Sequence, residues 1–179
     1  MKTKIILAVA ALALSFGAAN AAEKSFDGFY LGGQGSYSST KVEGEKDKAI
    51  SGTVLGGYGT EFGKWYIGGE VGVGYSGVKA STDAGEFKRD LTYGAAARGG
   101  YEVSKGVLAY GLVGLEGAKT KIGDTSEYDY GLRYGVGVEA FVKKNITVRS
   151  ELSYVDWKGT GDLPSSNEIR GTVGVGYHF

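Results

Sequence analysis

From Ile169 to Phe179 every second position is apolar, aromatic or glycine: Ile169, Gly171, Val173, Val175, Tyr177 and Phe179. Between them stand Arg170, Thr172, Gly174, Gly176 and His178. A period of two belongs to a strand with two unlike faces. That period returns along the chain and leaves little choice of fold. Strands are predicted over residues 28–38, 49–62, 65–77, 91–102, 107–118, 130–142, 146–157 and 169–179.

The faces follow from parity. Phe29, Leu31 and Tyr37 share a face in the first segment, and Tyr30, Gln34 and Ser36 share the other. In the second, Ile50, Val54, Tyr58 and Phe62 oppose Ser51, Thr53 and Glu61. In the third, Trp65, Ile67, Val71, Val73 and Tyr75 oppose Tyr66, Glu70 and Ser76. The fifth alternates least, because Leu108, Tyr110 and Leu112 make its second face apolar too.

Polar connections over 39–48, 78–90, 119–129 and 158–167 are expected to be loops, the last carrying the single proline, Pro164. Between them lie short turns at Gly63-Lys64, at Ser104-Lys105-Gly106 and at Lys143-Lys144-Asn145.

The N-terminus is of another kind. Lys2 and Lys4 precede an apolar run from Ile5 to Phe16, and Ala19-Asn20-Ala21 follows as an A-x-A site. This is the pattern of a secretory signal peptide over 1–21, leaving a single domain over 22–179. The run is too short to span a bilayer as a helix, and no later segment is continuously apolar. With no cysteine there is no disulfide, thiol nucleophile or Cys-ligated metal. Without Lys2 and Lys4 the chain is slightly acidic, which gives no electrostatic case for nucleic acid. Thirty-three glycines suggest disorder or a tightly built β-structure, and 13 tyrosines argue against disorder.

An even number of strands joined by alternately long and short connections is the rhythm of a barrel crossing a membrane. Mean hydropathy of −0.14 agrees, because only every second residue would face lipid. Aromatics gather at both ends of the strands. Phe29, Phe62, Trp65, Tyr101 and Phe179 mark the short-turn end, and Tyr37, Tyr75, Tyr93, Tyr130 and Tyr154 the other. Two such belts are expected at two membrane interfaces. A soluble eight-stranded barrel is the competing architecture, but its core would place large residues mid-strand. The expected fold is all-β: an eight-stranded antiparallel up-and-down transmembrane β-barrel.

The ending, the alternation and the loop rhythm together resemble the small eight-stranded outer-membrane barrels. That group takes in the OmpA transmembrane domain and the opacity- and OmpX-like "porin family" surface proteins. The resemblance runs from Phe26-Asp27-Gly28-Phe29-Tyr30 to Tyr177-His178-Phe179. Local matches to the OmpA barrel are Tyr66-Ile67-Gly68-Gly69-Glu70-Val71-Gly72 and Arg98-Gly99-Gly100-Tyr101, with Arg98 where lysine stands in OmpA. Val138-Glu139 and Val148-Arg149 match the hairpin that supplies two further charges. The resemblance implies that Glu70, Arg98, Glu139 and Arg149 form a charge network plugging the barrel. It also implies that Val173, Val175, Tyr177 and Phe179 form a C-terminal assembly signal read by the outer-membrane assembly machinery.

Parity supports one part of that network. A three-residue turn at Lys143-Lys144-Asn145 puts Glu139 opposite Arg149, both inward, where opposite charges attract. Tyr66, Tyr110, Leu112, Arg133, Phe141, Glu151 and Arg170 also point inward, and an eight-stranded barrel is just wide enough for side chains to fill. A wide pore is therefore not expected.

The expected protein is a non-enzymatic bacterial outer-membrane surface protein. It would serve envelope structure and meet cell or host-surface ligands through its loops, with outer-membrane lipid and lipopolysaccharide as surroundings. The alternative is a low-conductance porin. An enzyme fits poorly, since the sole histidine, His178, lies beside the terminus and no Ser-His-Asp arrangement is visible. No catalytic residue, cofactor or metal site is expected.

Overall fold

The computed structural model describes residues 25–42, 45–82, 85–122, 125–158 and 166–179, with side chains over 25–39, 48–76, 91–119, 128–158 and 166–179. The signal-peptide segment and Pro164 lie outside the described residues. Eight strands follow in chain order: β1 Gly28–Val42, β2 Glu45–Phe62, β3 Trp65–Thr82, β4 Gly85–Ser104, β5 Val107–Ile122, β6 Thr125–Phe141, β7 Ile146–Lys158 and β8 Ser166–His178. Each pairs antiparallel with the next, and β1 closes on β8 from Tyr30↔His178 to Lys41↔Asn167. The terminal Phe179 N–H donates to the Phe29 carbonyl at 3.1 Å, so the last residue belongs to the seam.

Closure explains how the period of two survives without a conventional core. Every strand backbone finds partners on both sides, the only way a sheet can sit in lipid. Ile50, Val71, Leu115 and Val136 stand exposed on the outside. Tyr30, Glu70, Arg98, Glu139 and Thr172 are buried inside. The face assignments made from parity describe both surfaces.

The polar segments are the correction. Residues 39–48, 78–90 and 119–129 were expected as loops, but most of them continue the strands: β1 runs to Val42, β2 begins at Glu45, and β3 and β4 stay paired to Thr82↔Gly85. Once two strands are in register the backbone ladder can go on into water, where polar side chains suit both faces. The fourth connection is shortened at both ends, by one residue where β7 reaches Lys158 and by two where β8 starts at Ser166.

The mouth at the short-turn end is filled by residues just before β1. Phe26 packs on Phe141 (4.8 Å between ring centres), His178 (5.8 Å) and Tyr66 (6.3 Å). Asp27 holds this segment to β2 by accepting from the Glu61 N–H at 2.6 Å.

Candidate functional site in the barrel lumen

Two ion-pair clusters cross the lumen. Nearer the short turns, the Arg98 guanidinium reaches Glu139 at 2.6 Å and lies 3.7 Å from Glu70, while Arg149 reaches Glu70 at 2.9 Å. Glu139 and Arg149 do sit in register across β6 and β7. The ion pairs, however, run across the barrel rather than along that rung. Inward side chains project toward the axis, so a long arginine meets a carboxylate from another wall. Glu139 also accepts from the Thr147 hydroxyl at 2.7 Å and contacts His178 Nε2 at 3.2 Å. His178 stacks on Tyr30 with ring centres 5.3 Å apart and is a lining residue of the mouth.

Tyrosines brace this cluster. The Tyr30 hydroxyl donates to Glu70 at 3.1 Å and accepts from Arg98 at 3.2 Å. The Arg98 guanidinium carbon lies 3.9 Å from the centre of the Tyr110 ring, a close cation–π contact. Tyr110 then donates to Glu151 at 3.2 Å, linking this cluster to the next.

The second cluster was not foreseen as a unit. Arg170 grips Glu116 with both terminal nitrogens, at 2.8 and 3.0 Å, and its Nε donates to Glu168 at 2.9 Å. Arg133 bridges Glu116 at 3.2 Å and also binds Glu151. The Trp157 indole donates to Glu168 at 3.1 Å. A signal for both clusters was present in the register. Glu70 lies opposite Gly57, Arg98 opposite Gly68, Glu116 opposite Gly94 and Gly131, Arg133 opposite Gly114, Glu151 opposite Gly137 and Arg149 opposite Gly174. A Cβ at Gly94 would meet Glu116 and one at Gly174 would meet Arg149, so there the missing side chain makes room for the charge itself; at Gly57 and Gly137 the space is taken by Tyr30 and Tyr110.

The residues of the C-terminal pattern lie elsewhere. Val173, Val175, Tyr177 and Phe179 all face outward and exposed, with the Tyr177 and Phe179 rings 5.2 Å apart. Among the described residues no group of three or more His, Cys, Asp or Glu could hold a metal ion.

Residues 8–179 match the family model of the outer membrane protein beta-barrel domain. The chain belongs to that family. The 22 kDa outer membrane protein of Rhizobium leguminosarum bv. viciae is 34% identical over 87% of this chain and 79% of its own. The 25 kDa outer-membrane immunogenic protein of Brucella ovis is 30% identical over 86% of this chain and 76% of its own. The fold is shared with Neisserial surface protein A, at a TM-score of 0.64 and 19% identity over 86% of this chain and 98% of that one. It is shared too with Ail, the attachment invasion locus protein of Yersinia pestis, at a TM-score of 0.57 and 20% identity over 86% and 99%. This outer membrane beta-barrel protein is thus placed in the bacterial outer membrane by family and fold together, crossing it by strands.

Proposed function

We propose that this protein is a non-enzymatic surface component of the outer membrane: a plugged barrel that supports envelope structure and presents its long hairpins for contact with other cells or host surfaces. The observation that carries the reading is the pair of linked ion-pair clusters spanning the lumen from Glu139 to Glu168. A lumen filled in this way offers no broad route for solutes. The name of the Brucella ovis relative, an outer-membrane immunogenic protein, is consistent with a surface role. Glu70, Arg98, Glu139 and Arg149 then act as internal struts. The outward Val173, Val175, Tyr177 and Phe179 serve as the handle for the assembly machinery, so deleting Phe179 should lower the fraction assembled in the membrane.

Single-channel recording of the refolded mature protein beside Glu139→Ala tests this reading. A silent bilayer for the wild type, with heat-modifiable gel migration confirming the fold, is expected. Reproducible openings altered by Glu139→Ala would instead support a low-conductance porin. One observation favours that second reading: a lumen cavity of about 40 Å³ beside the clusters, bordered by Gln34, Thr53, Thr92, Glu116 and Arg170. It has room for water.

A further inference from the structure

His178, the sole histidine, sits at the short-turn mouth, where β8 pairs with the start of β1. Aromatic rings wall it in: Phe141 of β6 at 5.1 Å, Tyr30 of β1 stacked at 5.3 Å and Phe26 at 5.8 Å between ring centres. Nε2 faces a Glu139 carboxylate oxygen at 3.2 Å. That carboxylate is ion-paired with Arg98 and can only accept, so Nε2 carries the proton and Nδ1 presents a lone pair. Nδ1 is buried and has no hydrogen-bond partner among the described residues.

The ring itself is pinned. The His178 N–H donates to the Asn145 carbonyl at 2.8 Å, and the Asn145 side-chain amide donates to the His178 carbonyl at 2.6 Å. Tyr30 and Phe141 are fixed as members of paired strands. Of the three aromatic walls, only Phe26 lies outside the strands. Gly28 turns the chain back into the mouth with φ of 102°, the left-handed region that favours glycine. Exposed hydrogen bonds latch the segment down: the Glu61 N–H donates to Asp27 at 2.6 Å, and the Ser25 hydroxyl donates to Glu61 at 2.6 Å. Phe26 is thereby left only 1% exposed.

A proton added at Nδ1 would make a buried N–H with no acceptor while Phe26 is docked. An unmade buried hydrogen bond is costly. With Phe26 withdrawn, the ring faces the open mouth and water can accept from that N–H. A ligand, here the proton, draws a protein toward the state that binds it better. The other charged and titratable groups around the ring stay in place. Glu139 is held by Arg98 and Thr147, and Tyr30 by Glu70 and Arg98. Arg149 is held by Glu70, and Tyr66 packs edge-on against Phe26. The carboxyl group of Phe179 belongs to the next residue, and Asp27 and Glu61 belong to the latch.

We propose that Phe26 is an acid-released cork: charging His178 lifts the segment before β1 and bares the lower ion-pair cluster at the short-turn mouth. No through path opens, because Arg133, Arg170 and their carboxylates still fill the lumen above. The proposal goes beyond the envelope role and does not depend on it.

The test places fluorophenylalanine at position 26 of the mature protein, folded in phosphatidylcholine nanodiscs. Fluorine NMR separates a docked ring from a lifted one, whose signal a soluble gadolinium chelate broadens. Nitrogen-labelled histidine gives a single imidazole to follow in the same sample. Going from about pH 8 to about pH 5 should raise the ratio of lifted to docked by about tenfold or more. The midpoint of that change should coincide with the titration of the imidazole nitrogens. His178→Gln can still donate to Glu139 but does not titrate, and it should stay docked throughout. Asp27→Asn/Glu61→Gln should keep the acid response. Heat-modifiable migration checks that both variants fold, and the two midpoints of the wild type decide the matter without them. A ring docked at both pH values, or midpoints that differ, would overturn the proposal. So would acid release that persists in His178→Gln, or a response lost in the latch variant, which would make the latch carboxylates the sensor.

Discussion

At the residue scale the lumen repeats one device. Tyr30, Gly57 and Glu70 stand side by side on β1, β2 and β3, and Tyr110, Gly137 and Glu151 do so on β5, β6 and β7. In each row the tyrosine lies flat over the glycine to reach the carboxylate beyond it. A Cβ added at Gly57 would meet Tyr30 Cζ at 2.3 Å, and one at Gly137 would meet Tyr110 Cζ at 2.5 Å and the Ser150 carbonyl at 2.9 Å. Gly137→Ala should therefore cost about 1–3 kcal/mol, measured by urea unfolding from vesicles, and adding Tyr110→Leu should recover part of the loss. Glu139 presents the electrostatic case. Glu139→Gln takes from the buried Arg98 its 2.6 Å carboxylate and leaves it only Glu70, at 3.7 Å and already paired with Arg149. The expected loss is about 3 kcal/mol or more, read in the same unfolding assay. Arg98→Leu in the same chain should restore stability, because it removes the stranded charge.

At the element scale the short turns set the registers that bring these residues together. Gly63 and Gly106 have φ of 69° and 74°, the left-handed region that favours glycine. Gly106 also donates its N–H to Glu102 at 2.6 Å, anchoring the β4–β5 turn. Gly106→Val is expected to cost about 1–2 kcal/mol and to slow refolding into vesicles, followed by the fraction of folded band with time. A one-residue slip in that hairpin would turn Arg98 out toward lipid and Ala97 inward. The hairpin arms beyond the outer belt obey the same logic. Their residues looked like loops because they are polar, yet their backbones stay paired far into water.

At the scale of the whole molecule, closure makes one sheet serve two solvents. Leu115 and Val71 face outward among apolar residues, while the lumen holds paired charge. With no native cysteine, single introduced cysteines report this arrangement cleanly. In intact cells, Lys48→Cys should react with a membrane-impermeant maleimide. Lys64→Cys should react only after the envelope is opened, and Leu115→Cys only with a lipid-soluble reagent. Reaction of Lys64→Cys from outside would reverse the barrel.

Strand number, strand facing and the two aromatic belts were legible in the chain alone, because period and parity are local properties. Glu139 opposite Arg149 was legible for the same reason: a three-residue turn sets the register of its own hairpin. The partners of those charges were not. Arg98 finds Glu139, Arg149 finds Glu70 and Arg170 finds Glu116 across the lumen. Those meetings depend on the curvature and stagger of the closed sheet, which no single hairpin contains.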